Sequence, residues 1–340
     1  MPSVPAGGVI VVTGVNGYLG SVASQVFIKH GYRVRGTVRS VASYGWMKSF
    51  FGPKFELVEV PDLESPGALD AAIRGVDGIA HIAMNLNFDM NDAALADKTV
   101  KSHLQLLESA AKEPSVKSVV VTSSQAACIL PTTGTPYEIN SDTYNTTSID
   151  LAAKPWNGEG DPFARRLHVY GAAKARGEQA CFEWVREHKP AFDFNTVLPD
   201  VIFGAPVSPE KLGFRSSAAI FQSFVKGQPH ALFIFPSQWY VDVEDAALLH
   251  LAALTLDDVR NERLLGFAGQ YSWTQIVEIL HRRFPQLSTV PASVDEPAVD
   301  CGRVDNSRSL EVLTRLKGDG FTSLEETIVK AVNAIIENDA

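Results

Sequence analysis

The stretch from Gly8 to Gly20 constrains this chain most. Four β-branched residues, Val9, Ile10, Val11 and Val12, run into three glycines, Gly14, Gly17 and Gly20. Beyond the turn, Leu19, Val22, Ala23, Val26 and Phe27 recur at spacings of three and four. An unbroken apolar run fits a strand buried on both faces, and the later spacing fits one face of a helix. Gly14 permits a tight turn without a Cβ penalty. Gly17 lets an anion approach the backbone, Gly20 lets helix and strand pack closely, and the free N–H groups at the helix start make a phosphate cradle. The spacing is Gly-x-x-Gly-x-x-Gly, not the Gly-x-Gly-x-x-Gly of most dinucleotide folds. The strand–turn–helix context therefore carries the nucleotide reading more than the glycines do.

Strand and helix patterns alternate through the first 200 residues. Strands are expected over 9–12, 32–38, 55–60, 78–83, 118–124 and 192–198. Helices are expected from Leu19 onward and over 41–50, 66–74, 92–112 and 165–187, and residues 131–162 read as loop-rich. Such alternation implies an α/β fold, a Rossmann-type doubly wound parallel sheet with helices on both faces. Ligands in such sheets lie beyond the carboxyl ends of the strands, where Gly14, Arg39, Asp62, Ala83, Ser124 and Pro199 fall. Past Pro199 the chain is less regular and richer in aromatics, with helical patterns near 215–226, 245–256, 272–283 and 324–337. Residues 1–200 are expected to form the nucleotide-binding domain, with later returns near 240–270. Residues 201–340 are expected to form mainly a smaller, interwoven substrate lobe.

Composition narrows the class. At 340 residues, 45% hydrophobic and 20% charged, the chain can bury a large core. It has no apolar run long enough to span a membrane and no charged, apolar and small-residue leader at its start. Its three cysteines, Cys128, Cys181 and Cys301, form no metal or redox motif. These features predict a cytoplasmic protein without a metal. A net charge of −9 argues against nucleic acid or anionic membrane as a partner. That charge is uneven: no Asp or Glu precedes Glu56, while Lys29, Arg33, Arg35, Arg39, Lys48 and Lys54 do or fall before it. NAD sites place an acid after the second strand to hold the ribose 2′-hydroxyl. Arg39 stands there instead and suits the 2′-phosphate of NADP, which it can grip with two N–H groups.

Tyr170 and Lys174 lie four apart on the long helix expected over 165–187, on one face and a turn apart. A nearby ammonium favours the phenolate and so strengthens tyrosine as an acid, which carbonyl reduction requires. Ser124, at the end of the preceding strand, can hydrogen-bond the same carbonyl oxygen. Ser123 is the weaker candidate, since neighbours on a strand face opposite ways.

Thr13-Gly14-x-x-Gly17-x-x-Gly20, Thr122-Ser123-Ser124 and Tyr170-x-x-x-Lys174 together resemble the extended short-chain dehydrogenases/reductases. Gly36-Thr-Val-Arg-Ser40, His81-Ile-Ala83, Val197-Leu-Pro199 and Tyr240-Val-Asp-Val-Glu-Asp245 narrow the resemblance to the dihydroflavonol-4-reductase-like branch, and within it to fungal NADPH-dependent aldehyde/carbonyl reductases. The likeness runs over nearly the whole chain. It implies NADPH-dependent reduction of aldehydes and ketones (aryl ketones, keto esters or similar hydrophobic carbonyls) to alcohols, with hydride from the nicotinamide and a proton from Tyr170. Lys174 would hold the nicotinamide ribose and tune Tyr170, and Ser124 would orient the substrate. Thr13, Gly14, Asn16, Gly17, Tyr18, Leu19 and Gly20 would surround the pyrophosphate. Arg39 would take the 2′-phosphate, Asp62 and Leu63 would border the adenine, Ala83 the phosphate–ribose region, and Pro199 the nicotinamide. Phe88, Gln238, Trp239 and Tyr240 are pocket candidates by analogy. His81, His103 and His168 read as structural, and Cys128 as a pocket neighbour without nucleophilic character.

One departure stands out. Extended members carry Asn-Val-x-Gly-Thr on the helix near Val100, where this chain reads Thr99-Val-Lys-Ser-His103. Two other readings compete. A nucleotide-sugar epimerase or dehydratase keeps NAD bound and wants an acid where Arg39 stands. A non-catalytic NADP-sensing protein tends to lose the Tyr/Lys pair. A monomer and a homodimer are both compatible with the sequence.

Overall fold

The structure is a computed structural model of the chain and describes residues 3–84, 94–228, 234–296 and 298–339. Seven strands form the central sheet: β1 (Val9–Thr13), β2 (Arg33–Val38), β3 (Phe55–Glu59), β4 (Gly78–His81), β5 (Ser118–Thr122), β7 (Asp193–Pro199) and β10 (Arg263–Gly266), with β6 (Tyr137–Ile139), β8 (Val201–Phe203) and β9 (Gln238–Asp242) lying outside it. The order across the sheet is β10-β7-β5-β4-β1-β2-β3, and every pairing is parallel. The chain winds outward through β2 and β3, then returns to the other side of β1 through β4, β5, β7 and β10. The reversal between β1 and β4 makes a crevice at their carboxyl ends.

Burial follows from the alternation of side chains on a strand. Ile10 and Val12 enter one core layer, with Val22, Ala23 and Phe27 of the Tyr18–Lys29 helix and the apolar face of the Val243–Thr255 helix. Val9 and Val11 enter the opposite layer, with Ile79, Val119 and the Leu106–Leu107 pair of the Leu95–Ala111 helix. The Pro162–His188 helix runs beside Leu95–Ala111 on that face. An added Cβ at Gly177 would stand 2.9 Å from Thr99 Cγ2 and 3.0 Å from His103 Nδ1, so glycine there allows the close approach. The segment that departs from the family pattern therefore presses directly on the helix of Tyr170 and Lys174.

Past Pro199, β8, β9 and β11 (Gly269–Tyr271) form a second sheet in the order β11-β9-β8, and β12 (Gly302–Val304) pairs with β6 in a third. The second sheet and the Ser217–Val225, Trp273–Arg283 and Leu324–Asp339 helices enclose an aromatic core of Phe203, Phe221, Phe224, Tyr240, Tyr271 and Trp273. Among the described residues no helix is long and apolar enough to cross a membrane.

Two expectations are corrected and one unexpected helix is added. Residues 66–74 form successive turns rather than a helix. Gly67 has φ +70°, and the bonds Ala68 N–H to Ser65 and Asp70 N–H to Gly67 close short turns that a continuing helix would not contain. Residues 131–162 hold β6 and a Thr146–Ala153 helix, capped by Asn145 Oδ1 on the Ser148 N–H. A further helix, Ser307–Lys317, buries Ser309, Val312 and Leu313 and ends at Gly318 with φ +88°.

Candidate active site

At the crevice, Thr13 ends β1 and ties it to the end of β4. Its Oγ1 accepts from the Ile82 and Ala83 N–H groups, both at 3.0 Å, and lies 3.2 Å from His81 Nδ1. Gly14 has φ +68°, and an added Cβ would stand 2.9 Å from Ala83 Cβ. At Gly20 a Cβ would stand 2.3 Å from the Gly14 carbonyl oxygen, so the helix can sit on the turn only without one. Gly17 caps the Tyr18–Lys29 helix with no side-chain bond, and the first turn holds no acid. A helix start bare of caps and acids suits an anion. Leu19 is buried, Asn16 is half-buried, and Tyr18 donates its hydroxyl proton to the Gly204 carbonyl at 2.8 Å. These residues fit a bound pyrophosphate.

Arg39 follows β2 and is exposed. Near it lies a group that the sequence did not disclose. Tyr44 hydrogen-bonds Asn16 and Arg215, and its phenol is held below the usual range. The Asn16 bond leads, burial works against it, and the charges of Arg215 and Arg39 add to it. Asp62, after β3, is exposed and accepts from the Glu64 N–H at 2.9 Å and Ser65 Oγ at 2.7 Å, bonds that lower its pKa, the Ser65 bond most. Leu63 packs half-buried against the neighbouring core layer. With strands about 4.8 Å apart, the positions from Asp62 through Arg39, Gly14 and Ala83 to Ser124 and Pro199 form a track about 24 Å long on one edge of the sheet.

Tyr170 and Lys174 point at that edge from the Pro162–His188 helix. The Tyr170 hydroxyl is hydrogen-bonded to Ser124. Ser124 sits just past β5, and its Oγ also accepts from the Ala126 N–H at 3.2 Å. Lys174 is buried, donates to the Thr122 carbonyl at 2.8 Å, and lies 5.9 Å from the Tyr170 ring centroid. The expected strengthening of the Tyr170 acid is corrected: burial raises the phenol pKa, with Ser124 acting the other way. Burial also pushes the Lys174 ammonium down to about 8, against the pull of Glu178. Pro199 ends β7 beside Gly266 of β10, where an added Cβ would stand 3.1 Å from the Pro199 Cα.

The pocket candidates separate. Phe88 lies outside the described residues. Gln238 and Tyr240 share a face of β9 that turns to the aromatic core. Gln238 Nε2 donates to the Pro236 carbonyl at 3.1 Å, and the Tyr240 hydroxyl donates to the Thr322 carbonyl at 3.0 Å, so the Tyr240 ring belongs to the core. Trp239 faces the other way. It stands edge-on to Phe267 at 6.1 Å, packs with Ala127 and Cys128 of the segment after Ser124, and its buried indole N–H has no partner among the described residues. His168 is held by Ser148 Oγ at 3.0 Å. The Cys128 thiol is pushed up to about 12, chiefly by burial, which removes it as a nucleophile at neutral pH.

A family profile described as the NAD dependent epimerase/dehydratase family matches residues 10–264. The chain belongs to that family, the extended short-chain dehydrogenases/reductases. NAD-dependent epimerase/dehydratase terH of Aspergillus terreus is 38% identical, with 97% of this chain and 98% of the relative covered. Aldehyde reductase 2 of Sporidiobolus salmonicolor is 33% identical, with 97% and 96% covered. The crystal structure of yeast methylglyoxal/isovaleraldehyde reductase Gre2 complexed with NADPH is 24% identical, has a TM-score of 0.79 and covers 97% of this chain and 99% of that one. It shares the fold seen here.

Proposed function

We propose that this protein reduces aldehydes and ketones to alcohols with NADPH. The observation that carries the reading is the hydrogen bond between Tyr170 and Ser124 at the carboxyl edge of the sheet, with Lys174 one helical turn away. The relatives named aldehyde reductase and ketoreductase support it. Arg39, with no acid before Glu56, supports NADP over NAD.

When bound, the reduced nicotinamide supplies a hydride to the carbonyl carbon. The chain supplies the rest. Ser124 donates a hydrogen bond to the carbonyl oxygen and orients it. Tyr170, kept protonated by its burial, delivers its proton to that oxygen. Lys174 stabilises the phenolate left behind. Asn16 and the turn from Gly14 to Gly20 hold the pyrophosphate, Arg39 the 2′-phosphate, Asp62 and Leu63 the adenine edge, and Ala83 and Pro199 the stretch toward the reacting ring. Trp239 lines the pocket, which suits aryl ketones, keto esters and similar hydrophobic carbonyls. The same reading assigns residues 1–200 to the cofactor and the later residues mainly to the substrate. It takes the protein as a soluble monomer or homodimer in the cytoplasm.

Following NADPH absorbance across a panel of aryl ketones, keto esters, aldehydes and dihydroflavonols tests the activity. Tyr170→Phe should lower kcat about 10³-fold and leave NADPH binding intact, since the lost step is proton transfer. Retained turnover sinks the assignment. The relative named epimerase/dehydratase keeps a second reading in play. NAD that co-purifies tightly, with no consumption of free NADPH, would favour it.

A further inference from the structure

Behind the reacting groups lies a buried ion pair that the reduction as described does not use. Glu178 stands one turn after Lys174 on the same helix face and is 1% exposed. Arg263 opens β10 and is 7% exposed. Arg263 Nε donates to Glu178 Oε1 at 2.9 Å and Nη2 donates to Oε2 at 3.1 Å, a two-pronged pair. The same carboxylate accepts from Ser123 Oγ at 2.9 Å and Thr196 Oγ1 at 2.5 Å. Arg263 Nη1 donates to the carbonyls of Ser141 and Thr143, both at 2.7 Å, and the guanidinium lies 3.9 Å from the Tyr144 ring centroid. Next to Tyr144, Asn145 donates from Nδ2 to the Ala126 carbonyl at 2.9 Å and from its N–H to the Ala127 carbonyl at 2.8 Å.

A buried pair of this kind is weak evidence for stability, because apolar residues of equal volume often serve the fold as well or better. Its connections are directional instead. The carboxylate grips Ser123, the neighbour of Ser124, and stands on the turn that follows Lys174. The guanidinium fixes the loop that backs the segment after Ser124. We propose that Glu178 and Arg263 are positioning residues that hold the end of β5 and the Tyr170–Lys174 turn in one fixed relation. This inference rests on Ser124, Tyr170 and Lys174 being the reacting set.

The electrostatics agree with the geometry. Lys174 is surrounded by His81 from β4, His103 from the Leu95–Ala111 helix and His250 from the Val243–Thr255 helix. Burial holds these near 4, 3 and 4, so they are neutral at pH 7, and Tyr170 is protonated. Glu178 is the negative charge that acts on the ammonium. Without it, Lys174 loses its proton at a lower pH.

Full-length Glu178→Gln, assayed with NADPH and the best carbonyl of the panel, tests this. The folded variant, checked by circular dichroism and thermal melting, should lose about tenfold in kcat, with the carbonyl KM within about threefold of the parent. The alkaline limb of its pH profile should move to lower pH, and Arg263→Lys should retain more activity than Arg263→Met. Tyr170→Phe is run alongside. If it turns over, the reacting set is wrong and the inference falls with it. If it is inactive while folded Glu178→Gln keeps the parent kcat and pH profile, the positioning role alone is overturned. Should Glu178→Gln not fold, Ser123→Ala decides, because it leaves the ion pair whole. A fall of about threefold in kcat at unchanged melting temperature supports the role, and parental kcat overturns it.

Discussion

Along the carboxyl edge of the parallel sheet, the loop residues of the candidate site each follow their own strand by a few positions, and Tyr170 and Lys174 reach them from a helix. Gly14 comes directly after β1, Arg39 after β2 and Ser124 two residues after β5. In the aromatic lobe the defining contacts join distant segments. The Tyr240 hydroxyl reaches Thr322 and Thr327 Oγ1 donates to Asp242 Oδ2 at 2.9 Å, while Phe203 of β8 meets Tyr271 and Trp273 edge-on. The edge is specified by backbone: glycine conformations and strand ends that any parallel sheet with this order would bring into line. The lobe is specified by side-chain volume, and its shape follows only once the long-range packing is known.

Acid should expose this difference most strongly, because the layer under the edge contains buried neutral histidines. His81, His103 and His250 are depressed to about 4, 3 and 4, all chiefly by burial. Unfolded histidines take up protons near pH 6.5, whereas the folded ones do not until far lower. Stability is therefore full above pH 6.5 and is lost as pH falls toward 4 to 3. By pH 5 the loss is about 2 kcal/mol for each, or about 6 kcal/mol in all. Urea melts at pH 7 and pH 5 measure it, and His103→Leu should flatten the slope. An unchanged slope would mean that the histidines are hydrated.

In the lobe, Trp273→Ala should cost about 4 kcal/mol, since it empties a fully buried volume among Phe203, Phe224 and Tyr271. Denaturant melts check the figure. If the lobe is the less cohesive region, the carbonyl KM should rise before NADPH binding fails. At the edge, Gly14→Ala forces a φ of +68° on a residue with a Cβ and drives that carbon against Ala83. A cost of about 2 kcal/mol is expected, together with weaker NADPH binding by titration calorimetry. Equal losses of cofactor and substrate binding in both variants would erase the contrast between the regions.

The same contrast decides what could be read from the sequence. The glycine turn, the six central-sheet strands of the first 200 residues and the placing of Ser124, Tyr170 and Lys174 at one sheet edge are legible because each depends on spacings within one element or on strand ends in a known order. Residues 66–74 depart from the expected helix because proline followed by a left-handed Gly67 leaves a helix-like composition without a helix. β6 was invisible because its partner, β12, lies far along the chain. Tyr240 looked like a pocket residue and proved to be core, since which face of β9 meets the site depends on packing that periodicity cannot supply. Glu178–Arg263 and Tyr44–Arg215 are not legible for the same reason: an ion pair or a hydrogen bond between distant residues carries no local signature.

The mildest expected effect falls on Arg39, and it tests whether the edge works as a set of separate contacts. Arg39 is exposed, so removing it leaves no buried group unpaired and no cavity in the core. On the proposed reading, what disappears is one charge-assisted contact to the 2′-phosphate, partly screened by solvent. Arg39→Ala should therefore raise the KM for NADPH about tenfold, leave the KM for NADH unchanged, and leave kcat with either cofactor near the parent value. The rise should shrink as salt increases, because the lost term is electrostatic. Equal rises for both cofactors would place Arg39 on a phosphate they share. A fall in kcat would mean that the adenine end and the reacting end move together, and the edge would then have to be treated as one mechanical unit.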